Sequence, residues 1–171
     1  LKPGKEVPVL RFHPWIFFFS IARVDGKPED GDIAEVYDRS RNLLGVGHFH
    51  HGSIAVRLLS FGPAEVTERA FWTQKILQAR AVRKTALHAG MSTECYRLVH
   101  GEGDGLSGLV VDIYGPVAVM QCHSIGMHRQ RALIAEALRE AFGADLQAIY
   151  DKSYEALPPK YAESQQNGFL W

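Results

Sequence analysis

Tyr96-Arg97-Leu98-Val99-His100-Gly101-Glu102-Gly103-Asp104-Gly105-Leu106-Ser107-Gly108-Leu109-Val110-Val111-Asp112-Ile113-Tyr114 is the stretch on which the reading of this chain turns. Two runs of β-branched and aromatic residues, 96–99 and 109–114, flank a glycine-rich acidic turn. The spacing Gly103-x-Gly105-x-x-Gly108 matches a dinucleotide fingerprint. That fingerprint works only after a strand and at the start of a helix, whose first amides hold the pyrophosphate. Here a second strand follows, closed by Tyr114-Gly115-Pro116, so the glycines read as a hairpin connection requiring positive φ. Glu102 and Asp104 are then turn residues, expected to be solvated, and they and Asp112 are not assigned to acid–base catalysis.

Outward from this hairpin, the C-terminal half reads as strand, strand, strand, helix, strand. Val117–Cys122 is the third strand. Ile134, Ala137, Leu138, Ala141 and Phe142 recur with helical spacing, Gly143 stops that helix, and 146–151 is the last strand. After Ser153 the chain turns polar and proline-bearing, and 154–171 reads as a linker. The strand-like Phe169-Leu170-Trp171 at its end suggests that the polypeptide continues.

Toward the N-terminus, Gly62-Pro63 precedes a helix from about Glu65 to His88, with Gly90 as its stop signal. Trp72, Ile76, Ala79 and Val82 or Arg83 form its apolar stripe. Lys75, Arg80, Arg83 and Lys84 lie on other faces. A solvated face is the simpler reading of these four, a phosphate-contacting face the sharper one. Residues 1–61 read as short strands with turns, including 33–37, 43–49 and 54–59, and Asp38–Asn42 as a hairpin loop. Strands this closely spaced argue for a small barrel. The fold class is therefore mixed α+β: a small N-terminal β-barrel (1–61), a connecting helix (62–92), a small α+β domain (93–153) and the linker.

Composition narrows the function. The 171 residues are 46% hydrophobic and 22% charged, an ordinary globular balance. No apolar run reaches the ~18 residues of a membrane span, and no membrane partner is expected. Cys95 and Cys122 have no metal or redox spacing and read as buried free thiols of a reducing cytoplasm. Net charge is zero, yet residues 1–90 hold 13 Lys and Arg against 9 acids, and 91–171 hold 6 against 10. That asymmetry permits a polyanion partner without demanding one. His48-Phe49-His50-His51 has no nearby ligand set for zinc and reads as strand-end and loop histidines. Lys5, Arg11, His13 and Trp15 gather basic and aromatic groups within eleven residues, a pattern suited to phosphates and unpaired bases. Spacing alone leaves open whether Trp15 and Phe17 belong instead to the core.

These residues also resemble a family. His13-Pro14-Trp15-Ile16-Phe17, Val24-Asp25-Gly26, Gly45-x-Gly47 leading to Ile54-x-x-Arg57, the 96–109 run, Asp112-x-Tyr114-Gly115, Gln121, Arg129-Gln130-Arg131 and Ile149-Tyr150-Asp151-Lys152-Ser153 carry the likeness. The family is the bacterial class I S-adenosylmethionine-dependent large-subunit ribosomal RNA (cytosine-5) methyltransferases with an N-terminal PUA domain. The resemblance implies a PUA-like RNA-binding barrel, a central α+β domain, and a Rossmann-like catalytic domain beyond 171 that binds S-adenosylmethionine. It implies ribosomal RNA as partner; Lys5, Arg11, His13, Trp15 and Arg57 are the residues expected to contact it, as phosphate partners and a stacking platform. No catalytic, metal or cofactor-binding residue is assigned within the chain itself. Phe18-Phe19-Ser20 departs from the family, whose members tend to show Ser-Gly and a small residue there. A free-standing PUA-type RNA or protein adaptor is the alternative, a histidine metal protein a weaker one, and self-pairing as a homodimer is left open.

Overall fold

A four-stranded and a five-stranded sheet organise the chain in a computed structural model that describes residues 1–87 and 93–171. They belong to two units, Leu1–Val66 and Thr67–Trp171. The mixed α+β class is as expected, and among the described residues no helix is long and apolar enough to cross a membrane.

The first unit begins with α1 (Val7–Leu10), followed by β1 (Trp15–Phe17), β2 (Ile33–Tyr37), β3 (Leu43–Phe49) and β4 (Ile54–Ser60), ordered β1-β4-β3-β2 and antiparallel throughout. The helical turn α1 replaces strand character in the basic N-terminal segment, because Pro8 sits at the start of a helix, where a missing N–H costs nothing. Asp38 closes the β2–β3 loop by accepting from the Asn42 amide and side chain at 2.9 and 2.8 Å. Gly45 and Gly47 lie on β3 where an added Cβ would run into the Ser60 and Arg57 carbonyls of β4. These glycines are close-approach residues, and they set the register His48↔Arg57 beside Trp15↔Arg57. Val9, Ile16, Val36, Phe49, Val56 and Leu58 form the core cluster. Each such side chain contributes roughly 1.5–3 kcal/mol on burial.

The second unit contains α2 (Arg69–Leu87), β5 (Cys95–His100), β6 (Leu109–Tyr114), β7 (Val117–Cys122), α3 (Ile125–Arg129), α4 (Arg131–Phe142), β8 (Ala148–Asp151), α5 (Pro159–Ala162) and β9 (Gly168–Phe169). Its sheet runs β5-β6-β7-β8-β9, with only β7–β8 parallel, joined by the α3–α4 crossover. The expected faces are buried: Trp72, Ile76 and Ala79 on α2, and Ile134, Ala137, Leu138, Ala141 and Phe142 on α4. Helix α2 starts four residues later than expected, after a turn in which Phe71 N–H donates to the Glu68 carbonyl. The His88 end and the Gly90 stop signal lie outside the described residues. Helix α2 packs on α4 and β5 within the second unit. Residues 154–171, linker-like in composition, form a short helix and a two-residue strand. Leu170 N–H donates to the Ile149 carbonyl, and Ile149 N–H donates to the Trp171 carbonyl.

Candidate nucleic-acid interface

Alternation along β1 answers the question that spacing left open. Ile16 points into the core, so Trp15 and Phe17 share the opposite face and remain half-buried. They line a cavity of about 260 Å³ together with Lys5, His13 and Phe19. The buried Val9 and Ile16 also contribute to its lining.

The walls are aromatic. Phe17 and Phe19 lie nearly parallel, 13° apart with centroids at 5.6 Å, and Trp15 meets Phe17 edge-on at 6.5 Å. His13 stands edge-on to Trp15 at 5.9 Å and accepts the Trp15 amide on Nδ1 at 3.2 Å, which leaves Nε2 as the proton-bearing nitrogen of the neutral ring. The Lys5 ammonium sits 5.4 Å from the Phe19 centroid, a cation–π distance, and Lys2 donates to the Phe19 carbonyl at 2.8 Å. Phe12, at φ 62°, turns the chain from α1 toward β1. A bulky residue there is strained, and such strain marks segments held by their surroundings.

Of the five residues singled out in the sequence, Lys5, His13 and Trp15 therefore line one cavity. Arg57 lies beside Trp15 through the β1–β4 register and is half-buried. Arg11 is exposed at the end of α1 and does not line the cavity. Sequence reasoning missed Phe17 and Phe19 as wall residues; the x-Trp-x-Phe alternation before Phe19 was the available signal. The bulky pair that departs from the family is exposed, and Phe19 helps build the cavity.

Charge follows the same geometry. Residues 1–23 hold four Lys and Arg against one Glu, while 24–66 hold four against seven acids. The surplus of the N-terminal half beyond residue 66 sits on α2, where it is tied up within the second unit. Arg69 pairs with Glu140 at 2.9 Å, and Arg80 with Asp145 at 2.7 Å while lying over Phe142. Arg83 donates twice to Asp104, at 2.7 and 2.6 Å. Lys75 lies over Phe71, and burial pushes its ammonium below the ordinary lysine range. These pairs correct the solvated-face reading of Arg80 and Arg83, and of Asp104, whose side chain is only 7% exposed.

Other candidates resolve as structure. The glycines of 101–108 connect two antiparallel strands, with Gly101, Gly105 and Gly108 at positive φ and no helix following. They do not fit a nucleotide cofactor, whose phosphates need helix-terminal amides. His48 lies near the end of β3 and is buried, while His50 and His51 follow the strand and meet the Asp30 carboxylate at 3.4 and 2.8 Å. No group of three or more potential ligands capable of holding a metal occurs among the described residues. Cys122 is buried as expected, its thiol pushed up to about 12 chiefly by desolvation, whereas Cys95 is exposed.

Asp151, Ser153, His128, Arg131 and Tyr161 form a polar network that sequence spacing did not mark. Ser153 donates to Asp151 and accepts the Cys122 amide at 2.9 Å. His128 stands 3.6 Å from Asp151 and 3.1 Å from the Tyr161 hydroxyl. The serine bonds the aspartate rather than the histidine, and all three of these side chains are buried, so this is no nucleophilic triad.

The fold thus defines a PUA-like domain and an α+β unit. Residues 1–61 match the family model of the PUA-like domain. Over 162 residues, 94% of the chain, identity is 36% to ribosomal RNA large subunit methyltransferase I of Escherichia coli strain SMS-3-5 / SECEC. It is 34% over 99% of the chain to the protein of the same name from Shigella flexneri. The chain spans about two-fifths of these relatives' length, 40% and 42%. A protein described as a SAM-dependent methyltransferase from Streptococcus mutans shares the fold, with a TM-score of 0.78 at 16% identity, covering 100% of this chain and 42% of its own. So does a methyltransferase complexed with SAH, with a TM-score of 0.76 at 17% identity, covering 98% of this chain and 40% of its own. The resemblance to the large-subunit ribosomal RNA methyltransferase family holds over nearly the whole chain.

Proposed function

We propose that this chain is the RNA-recognition portion of an S-adenosylmethionine-dependent methyltransferase of large-subunit ribosomal RNA, working in the cytoplasm on a cytosine at C5. Methyl transfer and cofactor binding belong to a separate catalytic domain, and the chain alone is inert. Lys5, Arg11 and Arg57 contact phosphates, and His13 and Trp15 provide the stacking platform.

The observation that carries this reading is the convergence of Lys5, His13 and Trp15 on one aromatic cavity in the basic segment of the PUA-like domain. Cations beside exposed rings are what single-stranded and looped RNA requires: charge for the backbone and π-faces for the bases. The relatives, named as methyltransferases of the ribosomal RNA large subunit, supply the substrate class.

Titration of the chain with fragments of large-subunit ribosomal RNA tests it. Replacing Lys5 and Arg11 together by Ala should weaken binding about ten-fold or more without altering the fold, because both side chains are exposed. Unchanged affinity would remove these residues from the interface. Calorimetry with S-adenosylmethionine should give no heat of binding, and a clear heat would overturn the division of labour.

A further inference from the structure

We infer that the cavity between Trp15, Phe17 and Phe19 is a single-base pocket, which takes one unpaired nucleobase of the RNA while Lys5 meets the charge beside it. This rests on the RNA-recognition reading above and gives it a stoichiometry: one extruded base per chain.

Three observations support the assignment. The volume of about 260 Å³ falls below the ~300–1,000 Å³ of pockets for drug-sized ligands and suits a single flat heterocycle. The near-parallel Phe17 and Phe19 rings, separated by 13°, offer a flat wall for a base, and Ser20 adds a hydroxyl to the lining. Charge decides between a nucleotide and an apolar partner side chain. The pocket lies in the part of its unit with four cations against one acid, and the Lys5 ammonium stands over the Phe19 ring. An apolar side chain would leave that cation without a counter-charge, whereas a nucleotide brings its own phosphate.

Phe19 carries the test, because its side chain is 61% exposed and its removal leaves the core of the unit untouched. Anisotropy measurements at one salt concentration would compare a single-stranded RNA with the same strand annealed to its complement. The wild-type chain should prefer the single strand by about ten-fold, within the range for one stacked base. Phe19→Ala should abolish the preference by weakening single-strand binding alone, and Phe19→Trp should retain it. Equal, salt-dependent affinity for both RNAs, unchanged in Phe19→Ala, would overturn the base pocket while leaving surface RNA recognition intact. Failure of both RNAs to bind would remove both readings. A Phe19→Ala chain that loses duplex and single-strand binding equally would also count against the pocket.

Discussion

Arg83 and Asp104, 21 residues apart, are joined by two parallel hydrogen bonds of 2.7 and 2.6 Å, and the same carboxylate accepts the His100 amide at 2.6 Å. The pair fastens α2 to the glycine-rich hairpin connection. Arg83 occupies the fourth position of the stripe begun by Trp72, Ile76 and Ala79, and its guanidinium reaches the turn where an apolar side chain would have stopped short. This explains an acid within a glycine run without any catalytic role: Asp104 is the anchor, and Gly105 at φ 68° turns the backbone away from it.

Asp104→Ala should therefore destabilise the second unit by about 2–3 kcal/mol in urea denaturation. That is less than the ~3–5 kcal/mol of a fully buried pair, because Arg83 is 19% exposed and regains water. Asp104→Asn should cost less, since its amide oxygen can still accept from His100. Equal stability of Asp104→Ala and wild type would show that the pair holds nothing.

Asp151 gives a pH dependence with a defined sign. Burial opposes its charge, but hydrogen bonds from His128 and Ser153 and the charges of His128 and Arg131 outweigh this and hold the carboxyl below its ordinary range. A depressed native value means that the stabilisation is present above the unfolded value of about 3.9 and is lost as pH falls through the native one. Asp151→Asn should lower the urea midpoint at neutral pH, with the difference shrinking as pH falls below the ordinary carboxylate range. A difference independent of pH would assign the network to packing alone.

The two thiols should separate cleanly. Cys122 is buried with its thiol pushed up to about 12, whereas Cys95 is exposed, so iodoacetamide at mildly alkaline pH should label one cysteine in the native chain and two in urea. Mass spectrometry of peptides identifies the labelled site. Rapid native labelling of Cys122 would contradict the β7 packing.

Much of this fold was legible because its elements carry their own period. The α4 face from Ile134 to Phe142 and the β6 alternation of Leu109, Val111 and Ile113 state burial residue by residue. What was not legible depends on partners distant in sequence. Nothing local marks Arg83 for Asp104, Asp30 for His51, or Asp151 for His128, so these side chains looked solvated, loop-bound or unrelated. The tail was legible only in part: Phe169-Leu170-Trp171 has strand character, but its pairing with Tyr150 and Asp151, which makes it the edge of this sheet, has no local signal. At the candidate interface the ingredients Lys5, His13 and Trp15 were visible, but the cavity needed the turn after β1 that brings Phe19 over Phe17.

RNA affinity as a function of salt tests the central claim most directly. If Lys5, Arg11 and Arg57 each meet a phosphate, log K against log [salt] for a single-stranded fragment should fall with a slope of about −2. The triple Ala variant should flatten it toward zero. A slope near zero for the wild-type chain, or no binding at micromolar protein, would contradict the assignment of this domain to RNA.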